Sequence, residues 1–293
     1  MSKYLWFLLV VFLVGISIAV FLTSVQQKQT ANENEVEHQD LQPIKSWDEA
    51  LFSVALKKYQ PNADSQRIAG AVIPHHLVAN GMIIDVLARL QAQKPEIIFL
   101  LTPNHYEQGS TAVISSNKNW ETPFGTTYID KDIINKLTES DLVSIENDAL
   151  SNEHAVAGLV HYFKYFLPDT KIIPLAVSNT LTLQSISEIS ALLESVSTPE
   201  TVIVTSVDFS HYLSSEESDK RDTLTIEAIK NDDYELLRSF SNEYLDSPSA
   251  LITHLLLMKK YEHSLTEIKN SNSGTMLSEP NSEGTSYFEL IWE

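Results

Sequence analysis

The chain has 293 residues, 43% of them hydrophobic, with 20 Lys and Arg against 39 Asp and Glu, a formal net charge of −19, and no cysteine. So acidic a surface repels phosphate backbones, which excludes a nucleic-acid partner and argues against adhesion to anionic lipid. The missing cysteines exclude disulfides, thiolate metal sites and a lipid anchor on Cys, so a core alone must stabilise the fold.

Residues 5–25 carry no charge and would run about 31 Å as a helix, the thickness of a bilayer core. Lys3 precedes them, and the polar, net acidic stretch 26–40 follows. This pattern predicts a transmembrane anchor over residues 1–25, with the N-terminus inside and the remainder extracytoplasmic. Secretion after removal of a signal peptide is the alternative, although no small-x-small cleavage site follows Val25. The membrane would be met through this helix only. Residues 26–46, rich in Gln, Asn, Glu and Asp, predict a flexible tether. Residues 47–293 are then one domain long enough for a sizeable core.

Within that domain, short apolar runs over residues 68–73, 96–101, 171–177, 201–207 and 286–292 predict strands buried on both faces. Helical patterns lie between them, over residues 78–93, 130–138, 155–166, 183–195 and 219–230. A further helix covers 250–258, capped by Ser247 or Ser249. Residues 268–282, rich in Asn, Ser, Gly and Glu, predict a loop. Alternating strands and helices predict a layered α/β/α fold with a central, mainly parallel sheet.

Ligands of such folds gather beyond the carboxyl ends of strands, and three of the runs lead there into histidine. The first run leads into Pro74-His75-His76, the second into Thr102-Pro103-Asn104-His105, and the fourth into Asp208-Phe209-Ser210-His211. Histidines from two strand ends can converge on one divalent ion, and neutral imidazole suits Fe, Zn, Cu or Ni. His75 and His105 are the candidates; a hydrogen-bonded loop histidine is the bland reading of each. His76, adjacent to His75, points elsewhere and is assigned a supporting or pocket position. Asp208 can fix the tautomer of His211 and raise its pKa, making an acid–base pair. Glu153 is either a first-turn acid favoured by the helix dipole or a partner for a ligand histidine, and His154 beside it is assigned a supporting or pocket position. Asp246, ahead of a helix, reads first as a cap. Trp120, in Trp-Glu-Thr-Pro-Phe-Gly, either walls a pocket or packs in a turn.

Taken in order from about Arg67 to Trp292, these segments resemble the Memo family, the AmmeMemoRadiSam system protein B group. The resemblance rests on Pro74-His75, Pro103-Asn104-His105, Trp120 with Thr122-Pro123-Phe124-Gly125, Asp130, Glu153-His154, Asp208-Phe209-Ser210-His211 and Asp246-Ser247-Pro248. It implies a fold similar to class III extradiol dioxygenases, which use a non-haem iron held by two histidines and a glutamate. It also implies a pocket in which His75 and His105 are metal ligands and His211, oriented by Asp208, carries protons. A third ligand, a cysteine in animal members, falls at Asp246. An Asp there implies a harder ion, Fe(II) first, with Mn, Zn or Cu as alternatives.

Family membership does not supply an activity. Three functions follow. The first is a metal-dependent oxidoreductase or dioxygenase-like enzyme at the outer face of the membrane. The second is a metal-dependent hydrolase with His211 as base. The third is a non-catalytic module that binds a peptide or small molecule in the same pocket.

Overall fold

The computed structural model describes residues 41–59, 66–198 and 200–293. Residues 42–293 make the unit treated below. Among the described residues a sheet of nine strands runs through it. These are β1 (Gly70–Ile73), β2 (Ile97–Pro103), β3 (Val113–Ser115), β4 (Val143–Ile145), β5 (Lys171–Val177), β6 (Thr201–Ser206), β7 (His211–Leu213), β8 (Leu265–Asn272) and β9 (Gly284–Trp292). Their order is β7-β9-β1-β6-β2-β5-β3-β4, with β8 pairing on β9. The four central strands β1, β6, β2 and β5 are parallel, and β9 joins β1 antiparallel.

Alternate residues of a strand face opposite sides of a sheet. Val72, Phe99, Leu101, Ile173 and Ile203 enter one apolar cluster, whereas Ala71, Ile73, Ile98, Leu100 and Val204 enter another. With both faces covered, each run is nearly all apolar rather than alternating. Helices α1 (Asn80–Gln93) and α2 (Leu159–Phe166) cover one face. They do so through Ile83, Ile84, Leu87 and Leu90, with Leu159 and Phe163. Helices α3 (Leu183–Val196) and α4 (Pro248–Lys260) cover the other, through Ile186, Ile189 and Leu193, with Leu251 and Leu255. The fold is the layered α/β/α arrangement expected. Truncating a fully buried member such as Leu87 to Ala costs about 2–5 kcal/mol.

Register positions the site. Ile73 pairs with Ser206 and Leu101 with Thr205. The strands β1, β6 and β2 therefore end level, and the segments bearing His75, Asp208 and His105 leave from one edge.

Three expectations change. The helix expected over 155–166 is two pieces, His154–Ala157 and α2, divided at Gly158. Residues 268–282, expected as a loop, contribute most of strand β8 and the short helix Ser273–Met276. Strand β8 lies along β9 with exposed and half-buried residues alternating; a half-exposed strand of charged and polar residues shows little apolar signal. The single-pass membrane placement is also corrected. Among the described residues no helix is long and apolar enough to cross a membrane, and the segment 5–25 that suggested one lies outside them, as does most of the expected tether.

Candidate metal centre

Proline just before a strand-end histidine sets the exit of both β1 and β2. His75 follows Pro74 and is buried, while His105 is two residues past Pro103 and its side chain is 23% exposed. Asp246 comes from the segment just ahead of α4, next to its cap. Its position is built from the main chain. Its amide donates to the Asp208 carbonyl at 3.0 Å, its own carbonyl accepts from Asn179 Nδ2 at 2.7 Å, and Leu245 bridges to Phe209. The cap of α4 is Ser247, whose side chain accepts from the Ala250 amide. Asp246 is thereby free of the capping role its sequence suggested.

One oxygen collects the neighbours. Asp246 Oδ2 lies 3.2 Å from His75 Nε2 and 3.6 Å from His105 Nε2, and it accepts from the Asp208 amide at 3.2 Å. The other oxygen, Oδ1, is buried with no hydrogen-bond partner among the described residues. Leaving a carboxylate oxygen buried and unpaired is costly, so the arrangement calls for a cation or donor. Donor atoms about 2.1 Å from a common ion stand about 3.0 Å apart at a right angle and about 3.4 Å apart at the tetrahedral angle. The 3.2 Å separation from Asp246 Oδ2 to His75 Nε2 lies in that range, and the 3.6 Å separation to His105 Nε2 is slightly wider. The donor set of two imidazoles and a buried carboxylate thus fits a divalent ion. Two overlapping groups of potential ligands share His75: His75 with His105 and His154, and His75 with Asp208 and Asp246.

The neighbours of the rings set which nitrogen is available. His75 Nδ1 faces Ser206 Oγ at 3.2 Å. His105 Nδ1 faces Glu153 Oε1 at 2.7 Å. Both leave Nε2 toward Asp246, as metal-ligating histidines generally require. Glu153 also caps the helix His154–Ala157, so the cap and partner readings of that residue are both realised.

The electrostatics follow from packing charges out of water. Burial pulls His75 and His105 down, but carboxylates outweigh it: Asp208 and Asp246 raise His75, while Asp246 and Glu153 raise His105 to about 10. Burial pushes Asp246 up, yet the hydrogen bonds of His105 and His75 hold it well below the usual carboxylate range. Glu153 is likewise held down against burial by His105. His154 is lowered to about 4 by burial and by the neighbouring His105 and His75. Protons and a metal compete for the same Nε2 atoms.

Other candidates separate. Asp208 does not partner His211 as expected. Its Oδ1 accepts from the His75 amide at 3.1 Å and its Oδ2 lies 3.6 Å from His75 Nε2. His211 instead places both its amide and Nδ1 against the Asn242 carbonyl, at 3.0 and 3.2 Å. The physical reason is that His211 opens strand β7 and is drawn toward residue 242 rather than back to the end of β6. His76 turns away from His75 and shares a 2.6 Å hydrogen bond with the buried Tyr287 hydroxyl. Trp120 lies not on a pocket wall but in the core, on the strand Asn119–Thr122 and 2% exposed, where it pairs with Thr127.

A cavity of about 530 Å³ opens over the cluster, lined by His75, His76, His105, His154, His211 and Asp246 among others. A larger one, about 610 Å³, lies at the opposite, amino-terminal ends of the strands between Ile68, Thr201 and Met258. It has one histidine and no converging ligand group, so the smaller cavity is the chemical one. Ser206, Tyr287 and Asn242, which orient His75, His76 and His211 respectively, carry no mark in the sequence: Ser206 is hidden inside an apolar run, and nothing distinguishes the other two.

A MEMO1 family protein of Metallosphaera sedula is 27% identical over 193 residues, covering 63% of this chain and 68% of that protein. MEMO1 family proteins of Caldivirga maquilingensis and Sulfurisphaera tokodaii are each 29% identical, over 60% and 61% of this chain. The chain spans 60% and 66% of the length of those two relatives. The crystal structure of an uncharacterized protein from Escherichia coli K12 aligns with a TM-score of 0.45 at 12% identity, over 76% of this chain and 99% of that one; so distant a likeness carries no argument. The profile of the Memo-like protein family matches residues 46–288, and the chain belongs to that family.

Proposed function

We propose that the protein is a metal-dependent enzyme of the oxidoreductase or dioxygenase-like kind, acting on a small molecule or peptide held in the strand-end cavity. In this reading His75, His105 and Asp246 hold the ion. The observation that carries it is the single oxygen Asp246 Oδ2 beside two imidazole Nε2 atoms, with Oδ1 buried and unpartnered. Two imidazoles and one carboxylate are the donors of non-haem Fe(II) sites that keep open positions, which puts Fe(II) first; Mn, Zn and Cu follow. When bound, the ion supplies Lewis-acid and one-electron chemistry at an open position.

The chain's own groups do the rest. Ser206 and Glu153 orient the two ligand rings. Asp208 holds the His75 main chain in place, which makes it a positioning residue for the ligand rather than a partner of His211. A carbonyl only accepts, so His211 Nδ1 carries the proton toward Asn242. Its Nε2 then bears the lone pair and accepts a proton from a bound substrate. Tyr212, 72% exposed beside it with φ 60°, offers a ring at the cavity rim; such backbone strain in a non-glycine residue accumulates at ligand sites.

The test is metal analysis of anaerobically purified full-length chain after loading with Fe(II), Mn(II), Zn(II) or Cu(II) and desalting. Stoichiometric Fe(II) in the wild type, lost in His75→Ala, is expected. Failure of every ion to bind stoichiometrically, with no change in His75→Ala, overturns the reading and leaves a metal-free binding module.

A further inference from the structure

We propose that His154 is a third imidazole ligand of this centre, alongside His75, His105 and Asp246. The inference rests on the metal reading above and adds a nitrogen donor to it.

The three rings form one packed group. Ring centroids of His75 and His105 are 5.1 Å apart, those of His75 and His154 5.2 Å, and those of His105 and His154 4.2 Å. Each ring offers a nitrogen within 4.8 Å of those of the other two. They also share an orientation. Nδ1 of His75 faces Ser206 Oγ at 3.2 Å, and Nδ1 of His105 faces Glu153 Oε1 at 2.7 Å. Nδ1 of His154 lies 3.4 Å from the same Glu153 oxygen. In every case Nδ1 is turned toward an oxygen; Nε2 of His75 and of His105 faces Asp246, and for His154 the same use of Nδ1 leaves Nε2 as the nitrogen to bind, the arrangement by which outer partners aim metal-binding imidazoles. The oxygen serving both His105 and His154 is itself fixed, because it accepts from the Ala155 amide at 3.2 Å. His154 is the first residue of that short helix, so its main chain is set by the cap that aims its ring.

Asp208 is the rival fourth ligand, through the group it forms with His75 and Asp246. One Nε2 lone pair serves one ion, and His75 belongs to both groups, so they describe one centre. The Asp208 group omits His105 and leaves unexplained why Glu153 grips that residue at both ring and amide. The imidazole group includes it. Asp208 is moreover already engaged by the His75 amide. Three imidazoles with one carboxylate make a nitrogen-rich site, which selects Fe, Cu or Zn over Mg or Mn.

The experiment loads the full chain with Cu(II) and counts coupled imidazole nitrogens by pulsed electron paramagnetic resonance, with affinity measured by competition against a chelator. Wild type, His154→Ala and His154→Gln are compared, after thermal melts show all three folded. Both variants are expected to lose one coupled imidazole and about 10–100-fold in affinity. Unchanged nitrogen coupling and affinity in the variants, with Cu(II) bound stoichiometrically by the wild type, overturns the role of His154 and leaves the metal reading intact. Loss of affinity in His154→Ala with wild-type coupling in His154→Gln overturns it too, since Gln then supports the site without an imidazole. No stoichiometric Cu(II) in the wild type removes both.

Discussion

Glu153 holds His105 at two atoms, one carboxylate oxygen 2.7 Å from the ring Nδ1 and the other accepting the His105 amide at 2.9 Å. A carboxylate so placed fixes the tautomer, leaves Nε2 for a ligand and raises the basicity of the ring. Glu153→Gln keeps the shape and an acceptor for the amide but removes the charge. Affinity for Fe(II) or Zn(II), measured by chelator competition, is expected to fall about 10–100-fold. The His105 pKa, followed by NMR, should drop from about 10 toward the ordinary histidine value. Unchanged affinity would show that Glu153 serves only the helix cap.

Asp246→Asn keeps the volume of the side chain and removes the charge that His75 and His105 share. Metal retention is expected to vanish in the same loading assay. A second outcome follows in protein stripped of metal by chelator. His105 is raised from 6.5 to about 10 in the folded chain, so the folded state binds the extra proton between those values. Its contribution to stability is complete below pH 6.5 and is lost as pH rises toward 10. Urea midpoints of the stripped wild type should therefore fall over that window, and those of Asp246→Asn should fall less. Parallel curves for the two proteins would count against Asp246 as the partner of these rings.

His75 and His105 were legible because a proline and the end of an apolar run mark each, and level strand ends turn those marks into proximity. Asp246 was not legible from its neighbours, which read as a helix start; only the family resemblance raised it, and the cap proved to belong to Ser247. Asp208 and His211, three apart, looked like one turn, yet the chain leaves the end of β6 and enters β7 between them, and they face different partners. Trp120 stayed open between two readings because an aromatic beside Pro and Gly looks the same whether it walls a pocket or fills a core. Strand β8 escaped because its pattern is one of charge, with Lys269 set against Asp85, Glu267 and Glu289 from three directions.

Asp222 supports the site from below. Its Oδ1 accepts from Ser210 Oγ at 3.0 Å and Ser286 Oγ at 2.7 Å, and its Oδ2 accepts from Asn270 at 2.8 Å. Ser210 lies between Asp208 and His211, and its carbonyl accepts the Ser286 amide, so Asp222 locks the segment bearing both residues to β9. Asp222→Ala leaves several buried polar groups unpaired, each costing about 1–3 kcal/mol. Chemical denaturation should show a loss of about 2–5 kcal/mol. Asp222→Asn, which keeps an acceptor, should lose less. Equal losses would mean that the charge, not the hydrogen bonding, is what matters.

Glu289 supplies a pH dependence remote from the metal centre. Its side chain is 1% exposed and lies 2.7 Å from Lys269 Nζ, a contact that favours the carboxylate. Burial nevertheless dominates and raises its pKa to about 8. The two facts are compatible because one ammonium faces three carboxylates. Of these three, Arg89 offsets Glu267, at 2.7 Å, and its other nitrogen reaches Glu293 at 3.7 Å, so Asp85 and Glu289 share Lys269 and the more deeply buried acid keeps its proton. Between the ordinary value of 4.5 and about 8 the folded state binds more protons than the unfolded state, so stability falls as pH rises across that window. Glu289→Gln mimics the protonated form and should flatten this part of the profile, leaving the variant more stable relative to wild type at pH 8 than at pH 5. A profile as steep as that of the wild type would mean that Glu289 is ionised throughout and that Lys269 serves it before Asp85.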